Sequence, residues 1–351
     1  MGRTFRKNVF IVGAGASKEF GLPTGKELAD EIAKIADIRF DDWGRSLDHG
    51  DYKIVETLRD ICKNDPQGDI NPYLHAAWRI RDNMPLAPSI DNFLDTHRDN
   101  EQLVAFGKMS IVHAIQKAES ASKLAVNSDK RSPSLDVGRL SETWLEQLFK
   151  ILVAQRNFET FLEALREITF VSFNYDRCIH QFFHWATASY FALDDSGRES
   201  VNESLNVVYP YGSVGKFAWH SSYSTNFGEI HYRDQLIRTA SEIKTFTEGV
   251  ASDVQETIAE CIAAAEIIVF LGFGFLPLNM ELLFNGRTFP NKTVIGTGKG
   301  LSANSVDEVE DELLETFPDQ SEQLLSEREP VKISNLTCGQ LFHEYQRFLT
   351  K

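Results

Sequence analysis

The sequence predicts an α/β fold, a Rossmann-like parallel sheet of about six strands that carries a large helical insertion. Three observations predict this class. Residues 9–12 are β-branched or aromatic, which is typical of a strand buried on both faces. Four later apolar runs also end in loops rich in glycine or polar residues. Helical periodicity fills most of the chain between these runs.

A tight glycine turn follows the first strand, where residues 13–17 read Gly-Ala-Gly-Ala-Ser. We expect Gly13 and Gly15 to take positive φ and to leave their N–H groups facing a pyrophosphate, with the positive end of the next helix behind them. The turn lacks the third glycine of the dehydrogenase fingerprint, and no acidic residue ends an evident second strand about twenty residues later. A standard dehydrogenase is therefore disfavoured, and a purely structural turn remains the alternative for this motif alone.

Length and charge limit the class of protein. At 351 residues the chain can form one large α/β domain with an inserted subdomain, or two modest domains. Its formal charge of −15 disfavours non-specific binding to nucleic acid, which needs a basic surface. No apolar run approaches the roughly eighteen residues that cross a bilayer, and we find no basic n-region followed by an apolar h-region of a signal peptide at the N-terminus. We therefore expect a cytoplasmic protein without direct nucleic-acid or membrane contacts.

Cysteine and histidine spacing predicts no metal site. The four cysteines are scattered and form no Cys-x-x-Cys pair, which favours buried, reduced thiols over disulfides or structural zinc. His180 and His184 lie four residues apart on a predicted helix and would share a metal only with a third ligand nearby. We expect both to be helix-surface histidines.

The predicted core comprises residues 1–26 and 166–351, and residues 27–165 form the helical insertion. Thr24 begins a capping box at the start of a helix. Within the insertion, Asp91 follows Ser89 at a predicted helix N-terminus, where the helix dipole favours a carboxylate. Residues 214–250 lack a clear period and are predicted to be an irregular loop or small lobe, a kind of segment that often acts as a lid.

Polar residues follow the second predicted strand, residues 168–173. Asn174 and Asp176 come directly after it, and open α/β sheets bind ligands at the carboxyl ends of such strands. A turn or a helix cap is the alternative for this segment.

The remaining strands also lead into loops. A third strand over 206–209 leads to Tyr211-Gly212-Ser213, a fourth over 267–271 leads to Gly272-Phe273-Gly274, and a fifth ends near Gly296. A polar helix over 304–329, a strand over 331–334 and a helix from about Thr337 close the chain.

Taken together, these loops make the chain resemble the SIR2-like family. It is more similar to the bacterial SIR2-like domains of anti-phage defence systems than to protein-deacylating sirtuins. The signature segments are 13–17, 173–176, 211–213 and 272–275 with Pro277, and they occur in the family's order over roughly two thirds of the chain. The resemblance implies a Rossmann-like sheet that binds NAD with its pyrophosphate on the first glycine turn.

The resemblance also implies roles for individual residues. Asn174 would contact the nicotinamide ribose and position a water, Asp176 would hold the loop or the carboxamide, and Asp91 would lie near the site. The further implied NAD contacts are Gly13, Ala14, Gly15, Ser17, Gly212, Ser213, Gly272, Phe273, Gly274, Gly296 and Thr297. The chain lacks both the zinc-ribbon cysteines and the proline-aspartate-phenylalanine-arginine segment of deacylating sirtuins. These departures favour simple NAD consumption over peptide deacylation.

Tyr211 stands where the family has its catalytic histidine. Cleavage of the nicotinamide–ribose bond expels a neutral pyridine through an oxocarbenium-like transition state, so the leaving group needs no proton. A general base typically contributes about 10² to 10⁴ in rate, and tyrosine is a poor base at neutral pH. We therefore expect slow hydrolysis unless another group serves as the base. His220 and His231, in the irregular stretch, are the candidates, and the alternative is that they are simply solvated.

Three functional hypotheses follow from the sequence. The first is an NAD glycohydrolase effector that depletes NAD when a separate sensor or activator protein, or self-assembly into a homo-oligomer, switches it on. The second is a module that binds NAD or ADP-ribose-type nucleotides without turnover and signals to a partner. The third is an ordinary NAD-dependent oxidoreductase.

Overall fold

The computed structural model describes residues 6–42, 46–63, 68–126, 133–220, 224–245, 248, 252–318 and 330–349. The strands in these residues are β1 (Asn8–Val12), β2 (Arg39–Phe40), β3 (Leu47–His49), β4 (Ile168–Ser172), β5 (Asn206–Val208), β6 (Ile267–Leu271), β7 (Thr293–Thr297) and β8 (Val331–Ser334). The α-helices are α1 (Ala14–Lys18), α2 (Gly25–Ile35), α3 (Tyr52–Cys62), α4 (Asn71–Asn83), α5 (Ile90–Thr96), α6 (Glu101–Ala121), α7 (Trp144–Val153), α8 (Phe158–Arg166), α9 (Cys178–Phe191), α10 (Asp195–Ser204), α11 (Asp234–Glu242), α12 (Ser252–Ala264), α13 (Pro277–Phe284), α14 (Ala303–Thr316) and α15 (Cys338–Tyr345).

Six of the strands form one parallel sheet in the order β5-β4-β1-β6-β7-β8. Within this sheet, β1, β4 and β5 lie on one side, and β6, β7 and β8 lie on the other. The direction of winding therefore reverses between β1 and β6. This is the doubly wound Rossmann order, and it confirms the predicted fold class. Val12 pairs with both Ser172 and Leu271, so β1, β4 and β6 end at the same level.

Alternate residues of β1 enter two different hydrophobic cores. Val9 and Ile11 belong to the core that contains helices α2 to α6 and α12, whereas Phe10 and Val12 belong to the core of α7 to α9 and α15. All four side chains are fully buried. Because each face of the sheet is covered by helices, the strand reads as a continuous apolar run rather than an alternating one.

The helices between β1 and β4 cover both faces of the sheet. Helices α2 to α6 pack on one face, and α7 and α8 pack on the other. The predicted helix starts are confirmed, because Thr24 forms a capping box with Glu27 and the Ser89 hydroxyl accepts from the Asn92 N–H. The division into a core and an insertion at residues 27–165 stays a prediction, since these helices share both hydrophobic cores with the sheet.

Two predicted segments differ in the structure. The span 214–250, predicted to be an irregular loop or small lobe, contains the helix α11, whose Leu236 and Ala240 are buried and which packs on α6. A nine-residue helix presents too few turns for its period to stand out from its polar neighbours. The helix predicted over 304–329 is α14, which ends at Thr316, and residues 319–329 lie outside the described residues. No helix in the described part of the chain is long and apolar enough to cross a membrane.

Candidate nucleotide-binding cavity

A cavity of about 590 Å³ opens at the carboxyl ends of β1, β4 and β6. The turns after these strands contribute Gly13, Asn174 and Gly272, so the three segments surround one shared space. The other residues that line it are Ala14, Gly15, Lys18, Glu19, Thr24, Gly25, Phe173, Phe273, Gly274, Leu276, Asn279, Thr297, Lys299, Gly300, Leu301, Leu336, Thr337 and Cys338. The cavity therefore lies where the strand order reverses, which is where doubly wound sheets bind ligands.

The first glycine turn packs backbone to backbone against the turn after β6. The Gly13 N–H donates to the Leu271 carbonyl at 2.9 Å, and the Gly15 N–H donates to the Gly272 carbonyl at 3.0 Å. A Cβ on Gly13 would lie 2.5 Å from the Gly272 oxygen, and one on Gly272 would lie 2.1 Å from the Ala16 nitrogen. Only glycine allows this approach.

These contacts correct one expectation about the turn. Gly13 has an ordinary φ of −109°, and Gly15 is not among the positive-φ residues, whereas Gly272 has φ +54°. Because the N–H groups of Gly13 and Gly15 already donate to the end of β6 and its turn, they do not face the cavity as pyrophosphate donors. The glycines are required for close packing between two strand ends rather than for a left-handed turn at Gly13.

The Asn174 side chain is held by the same turn. Its amide nitrogen donates to the Gly13 carbonyl and to the Ser17 hydroxyl, both at 2.9 Å. A carbonyl only accepts, so the nitrogen must face Gly13, and this fixes the orientation of the amide. None of the described residues donates to the remaining amide oxygen, which belongs to a side chain that lines the cavity. Asn174 can therefore offer a hydrogen-bond acceptor to a ligand, while Ser17 supports it from behind.

Two lysines line the cavity, and one of them is already ion-paired. Lys299 is exposed on the loop after β7, and Lys18, at the end of α1, forms an ion pair with Glu27. Gly25 is the first residue of α2, an eleven-residue helix, and a Cβ there would meet nothing within 4 Å. The start of α2 is therefore open, and helix N-termini favour anions.

Glu19 is the carboxylate that lines the cavity, and it joins two helices. Its two oxygens accept from the Trp144 N–H at 2.8 Å and the Gly339 N–H at 2.9 Å, in the first turns of α7 and α15. Burial raises the pKa of Glu19, and these backbone donors oppose the rise. Both oxygens are thus engaged in holding the fold.

Tyr211 reaches the cavity through another residue. Its hydroxyl donates to the Asn279 amide oxygen at 2.8 Å, and Asn279 lines the cavity whereas Tyr211 does not. The ring packs edge-on against Phe173, and burial raises the pKa of the hydroxyl above its ordinary value. A hydroxyl that stays protonated is a hydrogen-bond donor rather than a base.

Asp91 contacts Tyr175 and lies close enough to Tyr211 to affect its pKa. The Tyr175 hydroxyl donates to an Asp91 carboxylate oxygen, and the negative charge of Asp91 contributes to the raised pKa of Tyr211. Burial raises the pKa of Asp91, which the hydrogen bond from Tyr175 opposes. Asp91 is thus close to the site but is not among the residues that line the cavity.

The structure does not bring every predicted residue to this cavity. Asp176 accepts from the Cys178 N–H at 3.0 Å in a local turn just before α9, and it is not among the residues that line the first cavity. Gly212, Ser213 and His220 line a different cavity. Gly296 lies within β7, where a Cβ would be 2.7 Å from Ile333, so that glycine serves packing. Phe273, Gly274 and Thr297 do line the first cavity.

The predicted histidine positions also differ. His180 is 6% exposed, so the expectation of a surface histidine is wrong for it. His231 is buried, and its Nδ1 is hydrogen-bonded to the Thr239 hydroxyl at 2.9 Å. It is not among the residues that line the first cavity. No group of three or more histidine, cysteine or acidic residues in the described ranges can hold a metal.

Sequence reasoning missed Glu19 and Asn279 as residues of the cavity, whereas Lys299 lies in the loop over 296–300, which the family resemblance implies surrounds the adenosine half of NAD. Each missed residue lies two positions after a residue of a predicted motif, Glu19 after Ser17 and Asn279 after Pro277. Proximity to a strand end was the available signal, but it does not tell which side chain turns toward the cavity.

No protein-family model matches the sequence, and no curated protein does. Two solved structures are similar to this chain in three dimensions. One is a SIR2 homologue in complex with NAD, with 13% identity, a TM-score of 0.36 and coverage of 98% of this chain and 90% of that one. The other is a mutant of Sir2 homologues in complex with 2'-O-acetyl ADP ribose, with 12% identity, a TM-score of 0.34 and coverage of 97% and 91%. Similarity this low does not establish a shared family or function.

Proposed function

We propose that this cavity binds NAD and that the protein hydrolyses it to nicotinamide and ADP-ribose. The observation that carries the proposal is the single cavity at the reversal point of a Rossmann sheet, which gathers Gly13, Asn174 and Gly272. Its volume of about 590 Å³ lies in the range of small-ligand sites, roughly 300 to 1,000 Å³. The resemblance of the ordered motifs to SIR2-like domains supports NAD as the ligand.

The residues of the cavity suit both the phosphates and the nicotinamide ribose of NAD. Lys299 and the open start of α2 would bind the phosphates, because they supply positive charge and backbone N–H groups at one wall, and Lys18 would join them by exchanging its ion pair with Glu27 for a phosphate oxygen. The amide oxygen of Asn174 would accept from a ribose hydroxyl or from the attacking water. Since the departing pyridine is neutral, the protein has to orient the dinucleotide and shield the oxocarbenium-like sugar rather than protonate a leaving group.

We further propose that the protein is an effector of a bacterial anti-phage defence system. The support is the order of the four motifs, which resembles that of defence-type SIR2-like domains, together with the absence of zinc-ribbon cysteines. An enzyme that depletes NAD must stay inactive until it is needed. A sensor or activator protein, or assembly into a homo-oligomer, would supply that switch.

A second candidate function is nucleotide binding without turnover, and one observation favours it. The cavity offers no free general base among its lining residues, because both oxygens of Glu19 accept backbone N–H groups and Tyr211 acts only through Asn279. In this case the protein would bind NAD or ADP-ribose and signal to a partner.

The test is NAD turnover and NAD binding by the purified full chain, alone and with its genomic neighbours. We expect release of nicotinamide and ADP-ribose, and loss of it in Asn174→Ala, while Asn206→Ala, an exposed asparagine at the start of β5, keeps wild-type rates. Chemical unfolding of each variant shows whether the fold survives. Tight binding without turnover selects the second candidate, and an absorbance change at the reduced-nicotinamide band would select an oxidoreductase. If the protein showed no NAD binding and no NAD turnover, the assignment of this cavity would be refuted.

A further inference from the structure

A second cavity of about 600 Å³ lies beside the end of β5. It is formed by the start of α9, the loop that follows β5 and the segment after α11. It shares no lining residue with the first cavity among the described residues. The proposed function does not use it.

The wall of this second cavity carries more positive than negative charge, since Lys216 and Lys244 line it with Glu242, and the charge of Arg177 is paired with Glu119. Lys244 is half-buried, and its ammonium forms no ion pair with any residue in the described ranges. Lys216 lies 4.0 Å from Glu242, and both side chains are about half exposed, so water screens that contact. In a chain with a net charge of −15, such a wall attracts anions against the general field of the protein.

His180 supplies a buried imidazole nitrogen at the same wall. Its Nδ1 lies 3.1 Å from the Tyr209 hydroxyl, and either atom can be the donor of that bond. Burial lowers the pKa of His180 to about 3, so the ring is neutral, and Nε2 is a donor in one tautomer and an acceptor in the other. No described residue bonds to Nε2, although the side chain is 6% exposed and lines the cavity.

The other residues of the wall indicate what kind of group is attached to the bound anion. Phe217 is buried there, with the Arg177 guanidinium carbon 4.8 Å from its ring centroid and the Trp219 ring stacked on it at 4.5 Å. The ring is therefore already packed against protein groups. The Ser213 hydroxyl, which lines the cavity, donates to the Gly215 carbonyl at 3.1 Å, so its oxygen is left to accept from a hydroxyl group such as those of a sugar.

We propose that this second cavity is a binding site for a small phosphorylated sugar. Lys244 and Lys216 bind the phosphate, His180 Nε2 bonds to one hydroxyl of the sugar, and the Ser213 oxygen accepts from another. The remaining volume, next to Leu205 and Val207, holds the carbon skeleton.

The test is calorimetric titration of ribose 5-phosphate into the full-length protein, with ribose as the uncharged control. We expect ribose 5-phosphate to bind and ribose to bind at least about tenfold more weakly, since charge-assisted hydrogen bonds to the phosphate are lost. Lys244→Ala should weaken binding about tenfold for the same reason and leave NAD binding unchanged. Lys299→Ala, the matched change in the first cavity, should leave the affinity for ribose 5-phosphate unchanged.

Three results would overturn this assignment. They are no binding of ribose 5-phosphate by wild type, equal affinities for ribose 5-phosphate and ribose, and an affinity that falls in Lys299→Ala but not in Lys244→Ala. None of them depends on NAD hydrolysis, so the failure of the proposed function would be seen separately, as a lack of NAD binding or turnover.

Discussion

The contact between the two glycine turns makes a quantitative prediction about stability. Gly272→Ala places a Cβ 2.1 Å from the Ala16 nitrogen and 2.3 Å from the Gly15 carbonyl carbon, at a backbone φ of +54°. The left-handed conformation costs an alanine about 1–2 kcal/mol. Forcing extra volume into a closely packed site costs about 1–3 kcal/mol more. We therefore expect the free energy of unfolding to fall by about 2–5 kcal/mol.

Two further glycines of the same cavity separate these costs. Gly13→Ala has an ordinary φ of −109° but a Cβ 2.5 Å from the Gly272 oxygen, so it should lose only the packing part, about 1–3 kcal/mol. Gly25→Ala, at the start of α2, has neither strain nor a neighbour within 4 Å. It should be neutral or stabilise by about 0.5–1 kcal/mol, because alanine loses less backbone entropy in a helix.

Urea unfolding of the three variants and wild type measures this series. The expected order of stability is Gly25→Ala, then Gly13→Ala, then Gly272→Ala. If Gly272→Ala lay within about 1 kcal/mol of wild type, below any cost assigned to strain or packing, the two turns would not pack as described. Equal losses in Gly13→Ala and Gly25→Ala would refute the packing argument in the same way.

Two other predictions concern the neighbouring polar groups. Tyr211→Phe removes the hydroxyl that positions Asn279, so NAD turnover or binding should fall about threefold to tenfold. The pH profile of turnover should stay unchanged. A loss of about 10² or more, together with the loss of an ionisation from the pH profile, would instead make Tyr211 a base. Asp91→Asn concerns a carboxyl whose raised pKa means that the folded state holds its proton more tightly than the unfolded chain. Its contribution to stability falls as the pH rises from the ordinary value of 3.8 through the raised value. At acid pH the variant should therefore have the same free energy of unfolding as wild type, and at about pH 7 a larger one, by about 1.4 kcal/mol for each pH unit by which burial raises the pKa of Asp91. Urea unfolding at both pH values measures this, and a difference that does not change with pH would contradict it.

The strands and several helix starts were predictable because their causes are local. The run over residues 9–12 is apolar throughout, and Thr24, Ser89 and Thr337 cap the helices that follow them, as their spacing to later residues indicates. Helix α11 was missed because its apolar period spans only nine residues and depends on burial against α6. Patterns of this length gain their meaning from the partner that covers them.

Within the candidate site, sequence order identified the strand ends but not the direction of each group. Gly13, Asn174 and Gly272 follow three strands that end at one level, so their convergence follows from parallel pairing. The turn of the Gly13 and Gly15 N–H groups toward β6 depends on where the end of β6 lies. The loop after β5 was expected at the same cavity, yet Gly212 and Ser213 line another one.

By itself, the sequence determined an α/β protein with glycine or amide residues at successive strand ends, since strand burial, helix capping and turn chemistry are encoded within a few residues of each other. Only the tertiary structure decided which of those loops share a cavity, that Tyr211 acts through Asn279, and that lysines and a buried histidine line a second cavity. The physical reason is that hydrogen-bond direction and charge proximity are set by residues distant in sequence, whose relative positions exist only once the sheet has formed.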